Sequence, residues 1–266
     1  MPACYDALSA KLIERAGFKA SFMSGFSVAG ARLGMPDTGL ISYGEMLDQG
    51  RNICGAVSIP VIGDGDTGYG NPMNVRHTVA GYAAAGFACV MIEDQVAPKR
   101  CGHTEGKQVV GRGEALARIR AAIDAREAGA DILIMARTDA NATDGFEEAM
   151  ARMKDFAAAG ADILFLEAPQ TEREMRGFCD GVAGPKMANM LEGGATPLLP
   201  PAELGAMGFK IALYPVDLLS TTIAAITEAL ATLKDGKRPP RLAKFSEIRQ
   251  VVGFDDYRRD EDKYAS

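Results

Sequence analysis

Apolar and polar positions along the chain follow a rhythm that recurs five times. A helix-like stretch ends in glycine, and a short apolar run follows at once. The segments are ERAGFKASFMSG (residues 14–25), AAAGFACVMIED (83–94), REAGADILIMARTD (126–139), AAAGADILFLEAP (157–169) and GAMGFKIALYPV (205–216). Glycine suits the left-handed residue that closes a helix. An apolar run without strict alternation predicts a parallel strand covered on both faces. Two further runs, SIPVIGDGDTG (58–68) and PKMANML (185–191), read as strands without the glycine, and a short first strand is predicted around Pro2–Cys4. Between them lie helices such as RGEALARIRAAIDAREAG (112–129), with Leu116, Ile119 and Ile123 on one face, and FEEAMARMKDFAAAG (146–160).

About eight such units predict an α/β chain closed into a TIM-type (β/α)8 barrel with right-handed crossovers. A doubly wound open sheet is the alternative. No GxGxxG follows the first strand, which counts against a dinucleotide fold. With no shift of composition along the chain, residues 1–266 read as one barrel domain. DGKRPPRLAKF (235–245) is the best hinge, and residues 236–266 are expected to form a C-terminal helical tail, docked on its own barrel or reaching a neighbouring subunit.

Charge narrows the partners. Lys plus Arg number 29 against 35 Asp plus Glu, a net −6, so nothing draws the whole molecule to nucleic acid or an anionic membrane. No apolar stretch is long enough for a membrane span, and the start, MPACYDALSAKL, lacks the basic-then-apolar order of a secretory leader. Five scattered cysteines form no CxxC pair, so reduced thiols in a cytoplasmic protein are expected. With only two histidines, His77 and His103, any metal is expected on oxygen ligands.

In a barrel, chemistry sits where the strands end. Here those ends carry Ser24-Gly25, Asp64-Gly65-Asp66, Glu93-Asp94, Arg137-Thr138-Asp139, Glu167, Asn189 and Tyr214-Pro215. Asp64, Asp66 and Glu93 make a hard acidic set suited to Mg²⁺ or Mn²⁺, although a DxD turn alone also occurs without metal. In EDQVAPKRCGH (93–103), Lys99, Arg100 and His103 flank Cys101, and cationic neighbours favour a reactive thiol. A thiol acting as general acid or base fits better there than a Cys–His nucleophile. Cys4, Cys54, Cys89 and Cys179, and His77 in a helix, read as structural. Arg137 ends an apolar strand and is placed either to grip a carboxylate bidentately or to pair with Glu167 or Asp139.

The ordered set YDALSA, FMSGFSVAGARLGMPDTG, GDGDTGYG, IEDQ, KRCGH, ARTDA, EAP, ANMLEGGATP and ALYP spans nearly the whole chain and resembles the isocitrate lyase / phosphoenolpyruvate mutase superfamily. KRCGH is similar to the 2-methylisocitrate lyase and alkylmalate lyase branches, whereas ANMLEGG and GFDDY resemble the dimethylmalate lyase, oxaloacetate hydrolase and petal-death-protein group.

The resemblance implies that Asp66 binds Mg²⁺ directly while Asp37, Asp64 and Glu93 hold its waters. It implies that Ser24, Gly25, Phe26 and Gly102, with Arg137, Glu167 and Asn189, form the substrate pocket. Cys101 is the implied acid/base, supported by His103 and Lys99, with Gly102 and Gly106 as loop hinges. It further implies a small carboxylate substrate and a homotetramer that exchanges a C-terminal helix. Family members place another helix before the first strand, which this chain reaches almost at once. The expected reaction is cleavage of a 2-hydroxy di- or tricarboxylate to an α-keto acid such as pyruvate plus a carboxylate. The alternatives are oxaloacetate hydrolysis, phosphonopyruvate chemistry, or a barrel that only binds a metabolite.

Overall fold

The computed structural model describes residues 1–101 and 106–265. In chain order its elements are β1 (Ala3–Cys4), α1 (Ala7–Arg15), β2 (Ser21–Met23), α2 (Gly25–Val28) running into one π-helical turn (Ala29–Leu33), α3 (Tyr43–Cys54), β3 (Val61–Asp64), α4 (Pro72–Ala85), β4 (Cys89–Glu93), α5 (Arg112–Glu127), β5 (Leu133–Thr138), α6 (Ala140–Thr143), α7 (Phe146–Ala159), β6 (Ile163–Leu166), α8 (Glu172–Gly181), β7 (Met187–Asn189), α9 (Pro201–Met207), β8 (Ile211–Leu213), α10 (Asp217–Lys234), α11 (Phe245–Val252) and α12 (Phe254–Asp262). The glycines of the five repeats, Gly17, Gly86, Gly129, Gly160 and Gly208, all have positive φ, between 87° and 114°. Each turns the chain out of a helix and into the next strand, as the sequence pattern predicts.

Strands β1 to β6 pair in parallel in sequence order, and β7 pairs in parallel with β8. A parallel bridge between Leu164 and Lys186 joins β6 to the β7 side, and another between Pro2 and Tyr214 joins β8 to β1. There the Ala3 amide donates to the Tyr214 carbonyl at 3.1 Å, and the Tyr214 amide donates to the Met1 carbonyl at 3.0 Å. The sheet therefore closes on itself, which excludes the open doubly wound alternative.

Closure splits the apolar core in two. Ala3, Phe22, Ile62, Cys89, Met91, Met135, Ile163, Phe165, Met187 and Leu213 fill the inside of the cylinder. Val90, Ile92, Ile134, Ala136, Leu164 and Leu166, the alternate residues of the same strands, pack outward against helix residues such as Ile119, Ile123, Met153 and Phe156. Capping side chains start the helices: Asp6 accepts from the Ser9 amide at 2.7 Å at α1, and Asn71, followed by Pro72, accepts from the Met73 amide at 2.9 Å at α4. After β8 the pattern changes, because α10, α11 and α12 bury no residue in this single chain. No described helix is long and apolar enough to cross a membrane.

Candidate active site

The two-residue strand period builds the site. Each interior residue of the last apolar layer is followed two positions later by another inward residue at the rim. Phe22 leads to Ser24, Ile62 to Asp64, Met91 to Glu93, Met135 to Arg137, Phe165 to Glu167, Met187 to Asn189 and Leu213 to Pro215. All fourteen line one cavity except Ile62, Met135 and Met187, which lie beneath it. The cavity measures about 130 Å³ and is also lined by Phe26, Asp37, Lys99, Arg100, Cys101, Leu191 and Val216.

Sequence reasoning thus places most of its candidates on one cavity. Asp66 reaches it through Lys99: its Oδ1 lies 2.8 Å from the Lys99 ammonium. Gly25 supports Asp64 from behind, its amide donating to Oδ2 at 3.1 Å. A Cβ there would stand 2.6 Å from that oxygen, so only glycine lets the loop approach so closely. Gly102 and His103 lie outside the described residues. His77 lies away from this cavity, on α4, with its ring 5.2 Å from that of Tyr43.

The acidic half is tightly built. Asp64 Oδ1 accepts from the Asp66 amide at 3.0 Å, which turns the DGD segment back on itself, and Asp66 takes a left-handed φ of 48°. The Asp66 carbonyl in turn accepts from the Glu93 amide at 2.9 Å, joining this turn to β4. Lys99 bridges the set, 2.8 Å from Asp37 Oδ2 and 2.8 Å from Asp66 Oδ1. Burial pushes Asp66 up to about 7, with the Lys99 charge pulling the other way. Burial also drives Glu93 well above the usual carboxylate range, against the Arg137 charge. For Lys99, burial alone would favour the neutral amine, but Asp66, Asp64, Asp37 and Glu93 outweigh it and raise its pKa.

The cationic half centres on Arg137. The expected bidentate grip exists, but on a protein carboxylate: Asp139 Oδ2 and Oδ1 accept from Nε at 2.8 Å and Nη2 at 3.0 Å. Glu93 lies 3.3 Å from Nε and Glu167 lies 3.2 Å from Nη1. Of the two alternatives the sequence leaves open, the pairs with Asp139 and Glu167 are both present. A buried guanidinium needs counter-charge at once, and Asp139 is the nearest. Each of the three guanidinium nitrogens thus has a carboxylate oxygen within 3.3 Å, and the buried side chain still lines the cavity. Asn189 Nδ2 donates to Glu167 Oε1 and Oε2, both at 3.4 Å.

Two supporting residues, Lys107 and Arg152, escape a motif reading. Lys107 Nζ lies 3.0 Å from Asp139 Oδ1. Asp94 Oδ1 accepts from the Asp139 amide at 2.9 Å, and its Oδ2 from Thr138 Oγ1 at 2.5 Å and from Arg152 Nη1 at 3.0 Å. Arg152 also reaches the Val110 carbonyl at 2.8 Å, tying α7 to the end of the Cys101 segment. In the sequence, Arg152 shows only an ordinary i,i+4 pair with Glu148.

The donor set fits a divalent ion. Among the described residues, the buried oxygens Asp37 Oδ1 and Glu93 Oε1 have no hydrogen-bond partner in a region of four carboxylates. An all-oxygen acidic set of this kind is what Mg²⁺ or Mn²⁺ takes. Among the described residues, however, no three acidic, His or Cys side chains converge as a ready chelate, and the Lys99 ammonium stands between two of them.

The family model for phosphoenolpyruvate phosphomutase matches residues 1–234. The chain belongs to the phosphoenolpyruvate mutase / isocitrate lyase superfamily. It is 41% identical to 2,3-dimethylmalate lyase of Eubacterium barkeri, over 100% of this chain and 93% of the relative. It is 38% identical to 2-methylisocitrate lyase of Aeropyrum pernix, over 97% of this chain and 84% of the relative. Oxaloacetate acetylhydrolase in complex with 3,3-difluorooxalacetate superposes with a TM-score of 0.95 at 35% identity, covering 99% of this chain and 91% of the other. Phosphonopyruvate hydrolase in complex with oxalate and Mg²⁺ superposes with a TM-score of 0.87 at 32% identity, covering 99% and 93%. As a member of this superfamily of lyases and mutases, the chain is an enzyme.

Proposed function

We propose that this superfamily member is a Mg²⁺-dependent carbon–carbon lyase that cleaves a 2-hydroxy dicarboxylate of the 2-alkylmalate or dimethylmalate type, or a 2-methylisocitrate, to an α-keto acid plus a carboxylate. One observation carries this reading: Asp37, Asp64, Glu93, Arg137 and Cys101 all line a single cavity. A divalent ion held by these acids would share the cavity with the guanidinium and the thiol. The likeness to 2,3-dimethylmalate lyase and 2-methylisocitrate lyase supports the same reaction class.

Asp66, with Asp37, Asp64 and Glu93 around it, would hold the ion, and Mn²⁺ would serve as well. When bound, the ion supplies Lewis-acid stabilisation of the hydroxyl and carboxylate oxygens. Ser24 lines the same end, its Oγ fixed by the Ser27 amide at 3.2 Å, so its hydroxyl hydrogen is free to turn toward a ligand oxygen. Arg137, which lines the cavity, would meet the carboxylate that gains charge as the C–C bond breaks. A cavity-lining carboxylate such as Glu93 takes the hydroxyl proton as that oxygen becomes the keto oxygen of the α-keto acid, and the electron pair of the C–C bond passes to the departing carbon. Cys101 Sγ then gives its proton to that carbon. Phe165, Leu213, Pro215, Val216 and Leu191 supply the apolar wall that an alkyl substituent would meet. Release of pyruvate or its homologue from alkylmalates and methylisocitrate with Mg²⁺, and none with EDTA, tests the proposal.

A second reading, oxaloacetate hydrolysis to oxalate and acetate, is favoured by the superposition on oxaloacetate acetylhydrolase. Measuring oxalate against pyruvate release separates the two. The exposed apolar faces of α10 and α11 support a homotetramer in which C-terminal helices cross between subunits.

A further inference from the structure

Lys99 combines features that a passive support for the thiol does not require. Its ammonium lies 2.8 Å from Asp37 Oδ2 and 2.8 Å from Asp66 Oδ1, and its side chain is 6% exposed. It sits among the same carboxylates that suit a divalent ion. Two cations cannot share that point, since their repulsion in a buried region is several-fold larger than in water.

We propose that Lys99 is the resident counter-cation of the acid set, that a divalent ion displaces it, and that the displaced ammonium becomes a second cationic contact for the substrate beside Arg137. This inference rests on the metal reading above and goes beyond it. It explains why the acidic side chains, though gathered at one rim, do not converge as a chelate: the ammonium keeps Asp37 and Asp66 on either side of itself.

The local chain permits the exchange. Arg100 is held by its backbone, with its amide donating to Gln95 Oε1 and its carbonyl accepting from Gln95 Nε2, both at 2.9 Å. The Asp37 loop packs on the same stretch: a Cβ on Gly39 would come within 3.1 Å of Pro98 Cβ and 3.3 Å of the Lys99 backbone nitrogen. The backbone is thus anchored on both sides, and the exchange needs only rotation of a flexible four-carbon stem. Lys99 and Arg137 line one cavity, so a swing away from Asp66 keeps the ammonium inside it.

Charge sets the order of events. Without metal, the ammonium offsets part of the acids' mutual repulsion. With metal, the acids have a stronger partner and the freed ammonium seeks an anion, which the substrate carries. Metal would therefore bind before substrate. The apparent metal affinity would be lowered by the fraction of molecules in which Lys99 holds the site.

The test pairs lysine-specific reductive methylation, read by mass spectrometry, with Mn²⁺ titration of the wild-type chain and Lys99→Met. In EDTA, Lys99 should methylate at least about tenfold more slowly than the exposed lysines; Mn²⁺ should raise its rate selectively, and oxalate added to the Mn²⁺ form should suppress it again. Lys99→Met should bind Mn²⁺ about tenfold more tightly than wild type and melt at a lower temperature in EDTA. Unchanged Lys99 labelling with saturating Mn²⁺, or Mn²⁺ binding no tighter in Lys99→Met, overturns the exchange while leaving the metal reading intact. Absence of Mn²⁺ binding in both proteins overturns both.

Discussion

Asp139 holds Arg137 through two parallel hydrogen bonds, 2.8 Å from Oδ2 to Nε and 3.0 Å from Oδ1 to Nη2. The same Oδ1 receives Lys107. A fully buried carboxylate thus orients the guanidinium while joining it to the far end of the Cys101 segment. Removing its charge takes one buried counter-charge from both Arg137 and Lys107. Asp139→Asn is expected to destabilise the fold by about 3 kcal/mol or more, the usual result of breaking one side of a buried pair. It should also raise KM for the dicarboxylate more than it lowers kcat, because the displaced group binds substrate. Thermal melts with steady-state kinetics check both, and an unchanged KM would show that Arg137 needs no such orientation.

Stability near Asp139 should depend on acid in a defined direction. Burial alone would raise its pKa, but Arg137 and Lys107 hold it below the ordinary value. A carboxyl depressed in the folded state stabilises fully above its unfolded pKa of about 3.9, and that stabilisation is lost as pH falls through the lower folded value. The gap in stability between wild type and Asp139→Asn should be constant from about pH 5 to 7 and shrink below about pH 4. Urea unfolding across that range measures it, and a gap that widens on acidification would reverse the sign.

Cys101→Ser should leave fold and Mn²⁺ binding intact and reduce turnover by roughly 10²–10⁴, the usual contribution of a positioned acid or base. Oxalate binding with metal should persist. Full pyruvate release by this variant would remove the thiol from the reaction.

Gly25→Ala places a methyl 2.6 Å from Asp64 Oδ2, closer than the two can pack. The variant is expected to fold but to bind Mn²⁺ about 10- to 100-fold more weakly, as when a support behind a metal ligand is lost. A Mn²⁺ titration reads the change directly.

The α10 face carries Ile223, Ile226, Leu230 and Leu233, each more than half exposed, and beyond it Phe245 is 74% exposed. Contiguous exposed apolar surface marks an interaction site. Sedimentation should show an oligomer for the wild-type chain and a smaller species for Leu230→Glu or for a chain ending at Lys234. A monomeric wild type would contradict the tetramer proposal.

The barrel was legible because its signals are local. Glycine at a helix end followed by an apolar run reports backbone sterics and burial within about a dozen residues, and Gly86, Gly160 and Gly208 take the left-handed φ this implies. The strand-end chemistry was legible for a related reason. A period of two continues each interior column by one rung, so Met91 points to Glu93 and Phe165 to Glu167 before any contact is known.

Pairing across the rim was not legible. The residues of Asp37–Lys99 and Arg152–Asp94 are separated by 62 and 58 positions, and only closure of the sheet decides which charges meet. Arg137 shows the division most clearly. Its position at a strand end and its candidate partners Asp139 and Glu167 follow from the sequence, but only the fold adds Glu93 and buries the guanidinium among all three carboxylates. By itself the chain determined eight strands, their order and the residues at their ends, because those depend on short-range periodicity. The tertiary structure alone decided which buried charges neutralise one another and which side chains line the cavity, because electrostatic partnership depends on distance in space.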